Sequence, residues 1–278
     1  MDPAEQNYPI RLLTLNDIPA AMRLKEAAGW NQTPEDWTRL LTLAPGGCFG
    51  IDRGGELAST ATLICYGTDL AWLGMVLTLP EHRGHGLARQ LFSHCLEYAV
   101  GLGISWVKLD ATDMGRGLYA GYGFEDECPI ERWLRPAGPC ARAGPVDSGW
   151  DRQLDLEQFG AARASLLASL AAVECASIAG GGFAMGRPGS RAVFFGPCVS
   201  RNAVAAGQLL DWFVAQHAGE AICWDLFPDH ADATSLARSR GFAPARRLMR
   251  MVRRGPGVVG APPVNGPGIY AAAGFELG

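Results

Sequence analysis

The stretch Leu79-Pro80-Glu81-His82-Arg83-Gly84-His85-Gly86-Leu87-Ala88 is the part of this chain best suited to hold a charged ligand. An apolar run, Ala71–Leu79, leads into Pro80. After the loop, the apolar pairs Leu87/Ala88, Leu91/Phe92, Cys95/Leu96 and Ala99/Val100 recur every fourth residue and predict a helix over Leu87–Gly101. Gly84 and Gly86 let the backbone come close to a partner. A helix that opens there points its free N–H groups and the positive end of its dipole outward, as a pyrophosphate requires. Arg83, His85 and Arg89 add positive charge beside it. The residues alone also permit a tight strand-to-helix turn with those side chains solvated.

The elements that must position this loop follow from the same patterning. Ahead of it we expect a strand at Ile10–Leu15, a helix over Asp17–Gly29 capped by Asn16 or Asp17, and a helix over Pro34–Leu43. Strands follow at Cys48–Asp52 and Leu57–Tyr66. Beyond the loop come a strand at Trp106–Ala111, a short helix at Gly115–Gly121 and a strand from Phe124 onward. This order describes an α/β (α+β) protein with a mixed sheet. The segment Pro136–Gly149 holds three prolines and three glycines and marks a boundary. We divide the chain into 1–137, a linker at 138–149, and 150–278.

An internal repeat supports two copies of one fold. Leu118-Tyr119-Ala120-Gly121-Tyr122-Gly123-Phe124 returns as Leu236-Ala237-Arg238-Ser239-Arg240-Gly241-Phe242, and a third echo, Ile269–Phe275, follows. A strand at Arg191–Val199, a helix at Ala203–Gln216 and a strand at Ala221–Phe227 imitate the first half's order. Two unrelated helices closed by a left-handed glycine would leave the same trace.

The pattern P-x-x-R-G-x-G-L-A between a strand and a helix resembles the acyl-CoA loop of the GNAT acetyltransferases. Leu118-Tyr119-x-x-x-Gly123-Phe124 resembles the segment of that family whose tyrosine lies near the thioester sulfur. Gly29-Trp30-Asn31-Gln32-Thr33 with Asp36-Trp37, Leu109-Asp110-Ala111-Thr112 and Gly274–Gly278 resemble the tandem, YitH-like branch. The resemblance implies two tandem GNAT-like domains, each a twisted mixed sheet flanked by helices. It implies acetyl-CoA as acyl donor, held by Arg83, Gly84, His85, Gly86, Leu87, Ala88 and Arg89. The backbone of Val76, Leu77 and Thr78 would bind the pantetheine arm and polarise the acyl carbonyl. Tyr119 would protonate the departing thiolate. Trp30 and Asn31, with Trp72, would line the acceptor side.

An amine must lose a proton to attack, and Asp110, on a strand among apolar neighbours that raise a carboxyl pKa, is the candidate base. A carboxylate there also suits hydrogen bonding to the following loop. The second half lacks the R-G-x-G pattern at Gly196–Ala203 and has Ala237 in place of the tyrosine. It therefore reads as a degenerate domain that walls the acceptor pocket, with Asp225, Asp229 and His230 as polar contacts. The function so implied is N-acetylation of a small-molecule amine or amino acid; a non-catalytic acyl-CoA-binding regulator or scaffold is the alternative.

Bulk properties narrow the partners. The 278 residues carry 24 Lys and Arg against 28 Asp and Glu, a net charge of -4, which argues against nucleic acid as a partner. No apolar run spans a bilayer and the start is not that of a signal peptide, so we expect no membrane association and a cytoplasmic protein. The eight cysteines, scattered without C-x-x-C or metal-ligand spacing, read as reduced thiols, and no metal is expected. A monomer or homodimer fits these features.

Overall fold

The computed structural model describes residues 7–140, 142–263 and 265–278. Its residues gather into two compact units, Met1–Lys108 with Gly255–Val258, and Leu109–Arg254 with Val259–Gly278.

The first unit contains β1 (Ile10–Leu12), α1 (Ile18–Ala28), α2 (Pro34–Leu43), β2 (Cys48–Arg53), β3 (Glu56–Tyr66), β4 (Leu70–Thr78), α3 (Leu87–Gly101) and the start of β5 (Trp106–Ala111). The strands lie in the order β1-β2-β3-β4-β5, antiparallel except for the parallel β4–β5 pair. Residues 57 to 64 of β3 are buried without a break, so both faces are covered; α1 and α3 pack on it. The face of α3 formed by Leu87, Leu91, Phe92, Cys95, Leu96 and Ala99 is the one its sequence period announces. Asp17 stands at the N-cap of α1, but its side chain makes no capping hydrogen bond to that helix, contrary to the expectation. Its carboxylate instead accepts the Thr14 N–H at 2.7 Å, closing a 3-10 turn over Leu15–Asp17 that precedes the helix.

The second unit takes the end of β5 and contains α4 (Asp113–Ala120), β6 (Glu125–Arg135), α5 (Arg152–Phe159), α6 (Ala164–Ala171), β7 (Cys175–Ile178), β8 (Gly182–Arg187), β9 (Val193–Ser200), α7 (Ala203–Gln216), β10 (Ile222–Leu226), α8 (Ala231–Ser239), β11 (Ala243–Arg254) and β12 (Ile269–Ala271). Here the strand order is β11-β6-β10-β9-β8-β7, with β12 on β9. Trp133, Phe195, Phe213, Trp224 and Phe242 fill the core beneath α7 and α8. β6 lies between β11 and β10, antiparallel to both.

The sequence repeat is a repeat of geometry. After α4 the Phe124 N–H donates to Tyr119 O at 3.2 Å, with Gly123 left-handed at φ 81°. After α8 the Phe242 N–H donates to Ala237 O at 2.9 Å, with Gly241 at φ 82°. The parallel pairs correspond too: Leu70–Trp72 with Trp106–Lys108, and Val193–Phe195 with Ile222–Trp224. The third echo departs from the pattern, because Ile269–Ala271 forms a strand rather than a helix, drawn into pairing with β9.

Candidate active site

In the first unit β4 carries a local distortion. Thr60 of β3 faces Leu77 and Thr62 faces Gly74, so Met75 and Val76 stand against the single residue Ala61. Such a two-for-one bulge bends the strand. Met75 takes φ 49°, unusual for a side-chain-bearing residue, and its carbonyl accepts the Thr60 hydroxyl at 2.8 Å. Ser59 fixes the next residues, donating to Leu77 O at 2.8 Å with its hydroxyl 2.8 Å from that of Thr78. Pairing of β4 with β5 runs from Leu70 to Trp72 and stops. From Gly74 to Thr78, the stretch that holds Val76, Leu77 and Thr78, the strand is therefore anchored on its β3 side alone among the described pairings.

The loop then makes a 3-10 turn over Pro80–His82 before Gly84, at φ 77°, and Gly86, at φ 78°, open α3. An L side chain rarely adopts these angles, so the glycines are required by the path. No side chain caps α3. The first N–H groups of a helix have no partner within it, so this end offers donors to an incoming anion. A Cβ placed on Gly84 would meet nothing within 4 Å, which shows open space beside the loop. Arg83 and Arg89 are exposed and His85 is half-buried; Arg83 Nε donates to Thr78 O at 3.3 Å, tying the loop to the distorted strand.

The corresponding turn of the second unit is closed. Asn202 caps α7, its side chain accepting the Ala205 N–H at 2.9 Å, while the Ser200 hydroxyl bonds to Gly181 O and Asn202 O. One of the N–H donors at this helix end, that of Ala205, is thus already taken by the protein itself.

Tyr119 lies on α4 with its ring folded back one turn over Gly115, where a Cβ would come within 2.9 Å of Tyr119 Cε2. Burial pushes its phenol up to about 12, so the group keeps its proton throughout the neutral range. Asp110, at the end of β5, is fully buried, and both of its oxygens are taken by Arg250 of β11, at 2.8 Å from Nε and 3.0 Å from Nη2. Burial holds the carboxyl above its ordinary range, opposed by the guanidinium. This pairing fixes Asp110 more firmly than a hydrogen bond to the next loop would.

Trp30 follows the left-handed C-cap Gly29 and is half-buried, as is Asn31 beside it. Trp72 is 1% exposed, a core residue of the first unit. Of the second-half candidates, Asp225 is bound by Arg132, His230 caps α8 through Nδ1 on the Ala233 N–H, and Asp229 is exposed. Sequence reasoning passed over Met75, Gly115 and Arg250. The last sits in an arginine-rich run, Arg246 to Arg254, that was its one visible signal. The buried thiols of Cys48, Cys95 and Cys198 are raised by burial and are not poised as nucleophiles. Among the described residues no cluster of His, Cys, Asp and Glu could hold a metal, and no helix is long and apolar enough to cross a membrane.

Residues 17–124 match the acetyltransferase (GNAT) family and residues 152–261 match an acetyltransferase (GNAT) domain. The chain is a tandem of two GNAT domains. No curated protein matches it. Among solved structures, a Pyrococcus horikoshii protein described as a candidate acetyltransferase superposes with a TM-score of 0.85 at 20% identity, covering 99% of this chain and 98% of that one. A GCN5-related N-acetyltransferase from Sphaerobacter thermophilus gives 0.62 at 16% identity, covering 89% and 95%. The tandem GNAT protein from the clavulanic acid biosynthesis pathway gives 0.61 at 14% identity, covering 89% and 98%. At these identities the likeness is one of fold, and it extends over both halves of the tandem GNAT chain, as the repeat implied.

Proposed function

We propose that this tandem GNAT protein transfers an acetyl group from acetyl-CoA to a primary amine at one donor site, in its N-terminal domain. The observation that carries the reading is the contrast between the two helix openings. α3 begins at paired left-handed glycines with no side-chain cap, whereas α7 is capped by Asn202. The open end favours a pyrophosphate at α3, whereas at α7 the Asn202 side chain competes for the same place. The match over residues 17–124 also holds the loop and Tyr119 in one piece.

On this reading the amine attacks the thioester carbonyl, the carbon–nitrogen bond forms and the carbon–sulfur bond breaks. The departing thiolate takes the Tyr119 proton and the amine proton leaves to water. Val76 to Thr78 supply backbone donors to the pantetheine arm and the carbonyl oxygen. Trp30 and Asn31 face the acceptor, while Trp72, at 1% exposure, lies in the core and is not open to it. Asp110, with both oxygens on Arg250, is better suited to fix β5 against β11 than to receive a proton. We retain 1–137 as the catalytic domain, 138–149 as linker and 150–278 as the degenerate domain. The acceptor is a small molecule rather than a nucleic acid, in keeping with the net charge of -4.

Calorimetric titration with acetyl-CoA tests the proposal. One site per chain, lost in Gly86→Glu, is expected, because the substitution puts bulk and negative charge where the phosphates sit. Two sites per chain would restore the second domain to activity. Binding without thiol release in the presence of any amine would favour the scaffold reading.

A further inference from the structure

The glycine loop that opens α3 is held at both of its shoulders by one hairpin of the first unit. β2 and β3 are joined at Gly54 and Gly55, left-handed at φ 63° and 84°, so Arg53 and Glu56 stand directly opposite each other across a two-residue turn. His82, the last residue of the 3-10 turn that leads into the loop, lies against that turn. Its Nδ1 is 3.4 Å from Arg53 Nη1 and its Nε2 is 3.3 Å from Glu56 Oε1. A Cβ on Gly54 would lie 4.0 Å from Cε1, the carbon between the two nitrogens, so this edge of the ring faces the hairpin.

The two partners fix where the ring hydrogen sits. A guanidinium has no acceptor, so Arg53 donates and Nδ1 accepts. The hydrogen is then on Nε2, which donates to the Glu56 carboxylate. Each bond has one charged member, and the His82 side chain is only 13% exposed, so water competes little for either. Glu56 also lies 3.8 Å from Arg23 of α1, which keeps its charge balanced.

Arg53 reaches the far side of the loop as well. Its guanidinium lies over the Tyr8 ring at 5.8 Å. The main chain of Tyr8 is in turn gripped by Gln90 in the first turn of α3: the Tyr8 N–H donates to Oε1 at 3.0 Å, and Nε2 donates to the Tyr8 carbonyl. The hairpin is therefore linked to the residue before the loop and to the turn after it. Between those ties lie Gly84 and Gly86, and glycine has more backbone freedom to lose than any other residue.

Resting on the acetyl-transfer reading, we infer that His82 is a positioning residue of the donor loop, acting through Arg53 and Glu56 of the β2–β3 hairpin. The hairpin orders the loop before the pyrophosphate arrives, so less of the binding free energy is spent on ordering it. The three side chains act through the loop and not on the thioester, so their effect falls on donor affinity.

Calorimetry with acetyl-CoA and amide hydrogen exchange, both on the full chain, test this. In His82→Leu the Kd and KM for acetyl-CoA should rise about 10-fold, the scale of one hydrogen bond to a charged group, while the amine KM and the saturated kcat stay those of wild type. His82→Asn, which keeps an acceptor near the place of Nδ1, should recover part of the loss. Arg53→Met should weaken acetyl-CoA too, and adding His82→Leu to it should cost nothing more, because both changes cut the same link. The amides of His82, Arg83 and Gln90 are hydrogen-bonded to Leu79 O, Pro80 O and Gly86 O. Their exchange should quicken about 10-fold in His82→Leu, with exchange in the β3 core unchanged. Equal acetyl-CoA affinity in wild type and His82→Leu, losses that multiply in the double variant, or unchanged loop exchange overturns the inference and leaves acetyl transfer standing. If wild type binds no acetyl-CoA, the acetyl-transfer reading fails, and the exchange comparison still decides whether His82 orders the loop.

Discussion

Replacing Asp110 by Asn separates a structural carboxylate from a catalytic base. The Asp110 and Arg250 side chains are 0% and 1% exposed, and the pair is bidentate. Asparagine keeps the shape but removes the carboxylate charge from beside a buried guanidinium that lies over the Phe227 ring. Breaking a buried pair from one side costs about 3–5 kcal/mol. For a unit of this size each kcal/mol moves the melting temperature by roughly 2–4 °C, so Asp110→Asn should melt about 6–20 °C lower. The double variant Asp110→Leu with Arg250→Met removes both charges and should recover most of that loss, because an apolar pair of similar volume is often as stable as a buried ion pair. Melting by circular dichroism, with kcat measured well below the transition, reads both quantities. If Asp110→Asn melts with wild type and loses about 10²-fold or more in kcat, the scale of general-base catalysis, the carboxylate is the base and the structural argument fails.

Three further outcomes are expected. Tyr119→Phe should lower kcat about 10²-fold with little change in acetyl-CoA affinity, since it removes a proton donor and keeps the ring; unchanged kcat would dismiss the acid role. Gly115→Ala should hold or raise the melting temperature, alanine being the better helix former by about 1 kcal/mol. It should nonetheless slow turnover, because the new methyl would lie 2.9 Å from the Tyr119 ring and displace it; full activity would show that the ring's position does not matter. His217 sits between Glu220 at 2.8 Å and Glu174 at 2.9 Å. Burial lowers its pKa, but the two carboxylates hold it above the ordinary 6.5. A raised folded-state pKa gives stability that is complete below the unfolded value and is lost as pH rises through the folded one. Urea midpoints should therefore fall as the pH is raised from about 6 through neutrality, and less steeply in His217→Gln; identical slopes would exclude the mechanism.

What the sequence made legible is the part governed by local period. The bounds of α2, α3, β5 and α7 coincide with those read from apolar spacing, and the glycine loop falls where the helix opens. β11 escaped notice because charged residues dominate it and one of them, Arg250, is buried beside Leu248 and Met251. Arg250 is neutralised by a residue 140 positions away, so the strand's alternation looks like a solvated basic run. The twist at Met75 has no composition of its own, since it follows from Thr60 holding a carbonyl on the neighbouring strand. The role offered for Asp110 turned on the same blindness: an apolar neighbourhood in sequence did not reveal the guanidinium beside it. The third echo failed because three alanines with a glycine and a phenylalanine suit a strand edge as well as a helix end.

The placement of β6 bears on how the protein is made. β10 begins 87 residues after β6 ends, Arg135 to Ile222, and β11 begins 108 residues after it, at Ala243. At about 5–20 residues per second of synthesis, β6 waits roughly 4–20 s on the ribosome with both edges bare. A nascent chain paused in that interval already contains the glycine loop and Tyr119, yet neither neighbour of β6 has been translated. Activity in the cell should therefore appear with completion of the chain rather than with emergence of the residues proposed to carry it.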